Sequence, residues 1–201
     1  MVSKKAQVWV ETVIYTLIAL ALIGTVLAFV KPKIEEIQDK LTIDQTLEMM
    51  GDIDAKILLL AQGSLGNQRL LELQIKKGEL IVDPPKNSLI FTLENSRYAY
   101  SEIGKQKDIG NVLVETNQIG KYYKIDLTNN YSRYNVTYEN ENQIKKLTKS
   151  PTIYKLTVSN DGKAYCITGC GGSPLCLNPA DSQCTGCKAD CKTKLNFKLV
   201  N

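Results

Sequence analysis

The sequence predicts an α+β fold: one long N-terminal helix, transmembrane over its first part, then an antiparallel β-sandwich-like head and a Cys-rich C-terminal segment. Three observations predict it. Residues 12–30 (TVIYTLIALALIGTVLAFV) run for 19 positions without a charge. From residue 63 onward, short apolar runs alternate with turn residues. All six cysteines fall between Cys166 and Cys191 in a chain otherwise free of them.

At 1.5 Å of rise per residue, a 19-residue apolar helix just spans the hydrocarbon core of a bilayer, about 30 Å thick. Glu11 precedes it and Lys31-Pro32-Lys33 follows it directly. A secretory signal peptide would have a shorter apolar stretch ending in a small-residue cleavage site. The run instead continues into charged sequence, so the helix is expected to be retained. Glu11 is the unusual residue. It stands at the lip of a stretch that begins with Val8, Trp9 and Val10, and an unpaired carboxylate costs several kcal/mol in hydrocarbon. Glu11 therefore has a partner, or it snorkels among headgroups. Trp9 fits a membrane interface.

Lys4-Lys5-Ala6-Gln7-Val8 resembles the class III leader of type IV prepilins and archaeal pilins. In that family a membrane peptidase cuts after a small residue that follows basic ones. The resemblance covers roughly residues 1–40. It rests on the basic leader, Ala6 before the cut, Glu11 five positions into the mature chain, and the uninterrupted apolar helix. Ala6 stands where bacterial prepilins have glycine; archaeal leaders accept alanine. By this resemblance the cut falls between Ala6 and Gln7, and the carboxylate of Glu11 pairs with the freed α-amino group of a neighbouring subunit, setting axial register. It also implies an assembly platform and ATPase, and a head that faces outside and mediates surface contact. The expected segments are 1–6 leader, 7–30 transmembrane or filament-core helix, 31–62 amphipathic continuation, 63–165 head, and 166–201 Cys-rich segment with a terminal strand.

Past Pro32, which should kink the helix at the membrane surface, Ile34, Ile37, Leu41, Met50, Ile53 and Ile57 fall largely at helical spacings, which predicts one apolar face to about Ala61. Gly63, Gly66 and Asn67 break it. Strands are expected at 69–75 and 79–82, joined as a tight hairpin over Lys76-Lys77-Gly78, and at 88–93, 111–115, 122–127, 133–138, 153–158 and 163–166. Tyr122, Tyr123, Tyr131, Tyr134 and Tyr138 are read as strand filling rather than as a binding patch. Asn130-Tyr131-Ser132 and Asn135-Val136-Thr137 are sequons, making Asn130 and Asn135 candidate glycan acceptors if the head is exported.

The cysteines follow the pattern Cys166-x3-Cys170-x5-Cys176-x7-Cys184-x2-Cys187-x3-Cys191, interleaved with Gly169, Gly171, Gly172, Pro174, Pro179 and Gly186. Such a segment buries little apolar surface, so covalent cross-links are a natural substitute, and three disulfides are the first expectation. A zinc or iron–sulfur site using four of the thiolates is the rival. The fifteen pairings of six cysteines stay open.

Composition narrows the function classes. There is no histidine, which removes the commonest general base and metal ligand. Paired acids, an activated nucleophile and a phosphate loop are not evident, so no catalysis and no cofactor are expected. The net charge of +4, or +2 without Lys4 and Lys5, gives little support for nucleic-acid binding. The expected function is a major or minor pilin of an archaeal surface filament, anchored in the membrane before assembly. Its expected partners are copies of itself or other pilins, the prepilin peptidase and the assembly machinery. The alternative is a single-pass membrane-anchored adhesin that forms no filament.

Overall fold

The computed structural model describes residues 4–166 and 191–200. Helix α1 (Lys4–Gln62) runs for 59 residues and is followed by β1 (Gln68–Leu73), β2 (Glu79–Asp83), β3 (Ser88–Ser96), β4 (Gln106–Ile109) and β5 (Val112–Ile119). Then come β6 (Tyr122–Asn130), β7 (Tyr134–Tyr138), β8 (Lys145–Thr148), β9 (Tyr154–Cys166) and β10 (Cys191–Val200). The helical assignment of α1 passes unbroken through Pro32, although the proline ring leaves the Ala28 carbonyl without its usual intrahelical donor.

The strands form a six-stranded sheet, order β4-β5-β6-β3-β2-β8, and a four-stranded sheet, order β1-β9-β10-β7. Alternation along each strand builds the core. In the larger sheet, Leu147, Leu80, Phe91, Leu127 and Val114 stand opposite one another in sequence across five strands, a single buried row. The smaller sheet supplies Leu71, Leu73, Leu156, Val158, Leu195, Phe197 and Val136. Both sets belong to one core, and α1 completes it with Ile43, Met50, Ile53, Ile57 and Leu60. Burying those five side chains contributes on the order of 10 kcal/mol.

The α+β class with a sheet head is as the sequence predicts; four details differ. Residues 69–75 and 79–82 do not form a hairpin: β1 pairs with β9, while β2 pairs with β3 and β8. Lys76-Lys77-Gly78 instead carries the chain from one sheet to the other. Gly78 has φ of 83°, and a Cβ there would lie 2.6 Å from the Thr92 carbonyl and 2.7 Å from Phe91 Cζ, so glycine is needed for close approach rather than for a two-residue turn. Secondly, Asn160-Asp161-Gly162 is a bulged stretch inside β9, so the segments expected at 153–158 and 163–166 are one strand. Thirdly, β7 and β10 run parallel, whereas the other named strand pairs among the described residues are antiparallel; β4 and β8, each four residues long, are strands the sequence reading does not include.

The fourth difference concerns α1. Met50, Ile53 and Ile57 are buried, yet Ile34, Ile37 and Leu41 are 48, 60 and 53% exposed. Leu41 and Met50 are nine residues apart, which at 100° per residue is half a turn of rotation. By spacing alone, two apolar half-stripes on opposite sides of the helix read as one.

Polar contacts set how the buried side docks. Asp39, almost fully buried, accepts from the Arg97 amide (2.7 Å) and pairs with Lys77. Asn129 Nδ2 donates to the Met50 carbonyl (2.9 Å), Asn111 Nδ2 to Asp54 Oδ2 (2.7 Å), and Asn160 Nδ2 to the carbonyls of Leu60 (3.1 Å) and Gly63 (3.2 Å), capping the C-terminal end of α1. Asp39→Ala should lower stability by about 1–3 kcal/mol, since it removes the acceptor of the Arg97 amide and the partner of Lys77; Phe91→Ala, at the centre of the five-strand row, should cost about 3–5 kcal/mol. Urea unfolding of the detergent-solubilised chain checks both.

Candidate functional site

The part of the molecule that stands apart from its fold is the first half of α1. Its most apolar 18-residue stretch is not covered by the rest of the chain, and the helix is long and apolar enough to cross a membrane. Trp9, Leu20, Leu27 and Phe29 are all widely exposed. Two hydroxyls within the stretch bond back onto the helix: Thr16 Oγ donates to the Thr12 carbonyl and Thr25 Oγ to the Ala21 carbonyl, each at 2.8 Å. A helix whose polar side chains bond back onto their own backbone presents hydrocarbon almost without interruption.

Glu11 is exposed and immediately precedes the uncharged run. The bond between Ala6 and Gln7 lies within the first turn of α1, where backbone amides have no intrahelical acceptor. Lys4 and Lys5 open that turn. These residues are thus gathered at one end of a single rod, remote from the head.

Beyond Lys31 the rod meets the head through a charged and aromatic collar. Arg97 Nε pairs with Glu35, and its guanidinium lies 5.4 Å from the centre of the Tyr122 ring. Lys40 Nζ lies 5.8 Å from the Tyr98 ring, which meets Tyr100 edge to face. Tyr100 donates to Asp44 (2.8 Å). Burial of the Tyr100 hydroxyl, reinforced by that hydrogen bond and by the charge of Asp44, pushes its ionisation up from 10 to about 12. Glu115, on the exposed side of β5, is held below the usual carboxylate range by hydrogen bonds from the Gln106 and Asn117 amides.

Sequence reasoning missed the collar. Its one legible signal was Asp39 and Asp54 in register with Ile43, Met50 and Ile57, acidic residues on what proves to be the buried face. Of the five tyrosines singled out, Tyr131 and Tyr138 are core and Tyr134 packs against it, whereas Tyr122 and Tyr123 are half-buried at the edge of the collar.

The two sequons occupy different settings. Asn130 is exposed at the end of β6, and its Oδ1 accepts from the Ser132 amide (2.8 Å). Asn135 is half-buried within β7, and the hydroxyl of its partner Thr137 is buried and donates to Asn196 Oδ1 (3.1 Å). Cys166 and Cys191 end β9 and begin β10; Cys170, Cys176, Cys184 and Cys187 lie outside the described residues.

The main depressions lie side by side in a shallow groove between α1 and β1, each about 240 Å³, lined by Gln45, Met49 and Glu72 in common. That is below the roughly 300–1,000 Å³ of ordinary ligand sites. Among the described residues no three His, Cys, Asp or Glu side chains are grouped so as to hold a metal ion.

No protein-family model, characterised protein or solved structure matches the chain. The functional reading therefore rests on the leader residues, the rod and its junction with the head.

The Tyr100 contact gives a pH prediction. Because its folded pKa is raised, the stability it contributes is fully present below pH 10 and is lost as pH rises through about 12. The stability difference between the wild type and Tyr100→Phe, measured by urea unfolding in steps across that window, should shrink towards its upper end.

Proposed function

We propose that the chain is a structural subunit, a major or minor pilin, of a type IV pilin-like surface filament of the archaeal kind, inserted in the membrane before assembly and carrying its β head outside. The observation that carries this reading is that one 59-residue helix does two jobs: its uncovered apolar first half suits lipid or a bundle of like helices, and its second half forms part of the head's core.

The exposed stripe of Ile34, Ile37 and Leu41 adds support. It prolongs the apolar surface more than two turns beyond Lys31 and Lys33, on the side of α1 turned away from the head's core. A lone anchor leaves these side chains in water. A bundle of stalks covers them. The head mediates surface contact, and the exposed Asn130 is the better placed glycan acceptor.

N-terminal sequencing and intact-mass measurement of the protein from its native membrane should find a chain beginning at Gln7. A chain beginning at Met1 or Val2 would replace this reading with a membrane-anchored adhesin that forms no filament. Glu11→Ala should reduce assembled material by at least about tenfold, because it strands a buried α-amino charge. Ile37→Lys should do the same while leaving urea unfolding of the head unchanged; normal filament yield from both variants would refute assembly through this helix. Glycopeptide mapping should place the main modification at Asn130, with Asn135 substituted less.

A further inference from the structure

We propose that Cys166 and Cys191 are joined as a disulfide that links the end of β9 to the start of β10.

The argument is one of register. β9 ends at Cys166, β10 begins at Cys191, and in this antiparallel pair the two residues stand directly opposite each other. Opposed residues on antiparallel strands have Cα atoms about 4.5–5.5 Å apart. A disulfide spans Cα separations of about 4.4–6.8 Å without backbone movement.

That register is built rather than inherited from the rest of the sheet. Phe197 pairs with Val158 and Leu195 with Asn160, but Thr193 pairs with Lys163 and Cys191 with Cys166. Twice, β9 uses three residues where β10 uses two. Extended without these irregularities, the regular register would set Cys191 opposite Ala164, and Cys166 opposite Ala189. Two one-residue slips bring the first and last cysteines of the cluster together. Gly162, with φ of 86°, lies in the first of these irregular stretches, and a Cβ there would come within 2.5 Å of Leu65 Cδ1. A positive-φ glycine is a usual way to hold a bulge, so the sequence that shifts the register is itself tied to the fold.

Asn160 caps α1 at Leu60 and Gly63, and Gly162 abuts Leu65, so the middle of β9 lies at the end of the head where α1 stops. Thirty residues of helix separate Val30 from Leu60, a rise of about 45 Å. Of the fifteen pairings of six cysteines, three remain once this one is made.

The inference rests on the proposed export of the head, which puts the thiols in an oxidising compartment. Formation is a thiol–disulfide exchange. One cysteine thiolate attacks the disulfide of an oxidising dithiol protein, the second displaces it from the mixed disulfide, and the donor leaves as a dithiol carrying the two electrons and two protons.

The test is disulfide mapping of the full chain extracted from its native membrane with free thiols blocked by N-ethylmaleimide. Trypsin, cutting after Lys163, Lys188 and Lys192, isolates Cys191, and thermolysin, cutting ahead of Ile167, separates Cys166 from Cys170. The expected product is the Cys166 fragment linked to the Cys191 fragment. In a second readout, Cys191→Ser should leave Cys166 as the alkylated thiol. Linkage of Cys166 or Cys191 to any other cysteine, or a different thiol freed in the variant, would overturn the pairing and leave export intact. Six free thiols would overturn the pairing and the exported head with it.

Discussion

The second half of α1 lies in a core to which both sheets contribute, and the rest of the molecule depends on that contact. Ile43, Met50, Ile53, Ile57 and Leu60 supply the adhesion. Apolar burial alone is non-directional and would tolerate rotation or sliding of a rod against a slab. Asp39, Asp54, Asn129 and Asn160 remove that freedom, because each meets a particular partner at a different height along the helix. Each such bond is worth only about 1 kcal/mol net, but a buried group left without its partner costs more, so the polar contacts choose one rotation and the apolar ones hold it.

Fixing the rotation fixes what the molecule shows to the outside. Once Ile43, Met50 and Ile57 face the core, Ile34, Ile37 and Leu41 must face away from it, and the apolar side of the stalk extends past the basic residues at Lys31 and Lys33. The same rotation sets Glu35, Lys40 and Asp44 against Arg97, Tyr98 and Tyr100, closing the junction with charge and aromatic contacts rather than with further core.

Within the head, the chain crosses between the two sheets from β1 to β2, β6 to β7, β7 to β8 and β8 to β9, and the half-buried Asn87 adds a polar tie between them. Asn87, at φ of 49° in the turn between β2 and β3, donates through neither sheet's ladder; its carbonyl accepts from the Tyr131 amide and its Oδ1 from the Val136 amide, tying the six-stranded sheet to β7 of the other. The parallel pairing of β7 with β10 follows from the direction in which β10 returns alongside β9.

By itself, the sequence determined the helix, its apolar first half, its end near Gly63 and the β character of the chain beyond that point, since each depends on local chemistry: hydropathy over 19 residues, helix-breaking residues, and alternation along single strands. It also placed Glu11 and the leader-like residues at one end of the rod. Only tertiary structure decided which strand pairs with which, because Lys76-Lys77-Gly78 looks the same whether it turns back or crosses between sheets. Tertiary structure also decided which of two half-stripes on α1 is buried, because a nine-residue gap hides half a turn of rotation. It decided the opposition of Cys166 and Cys191, because that arises from two slips in register that leave no periodic trace in the chain.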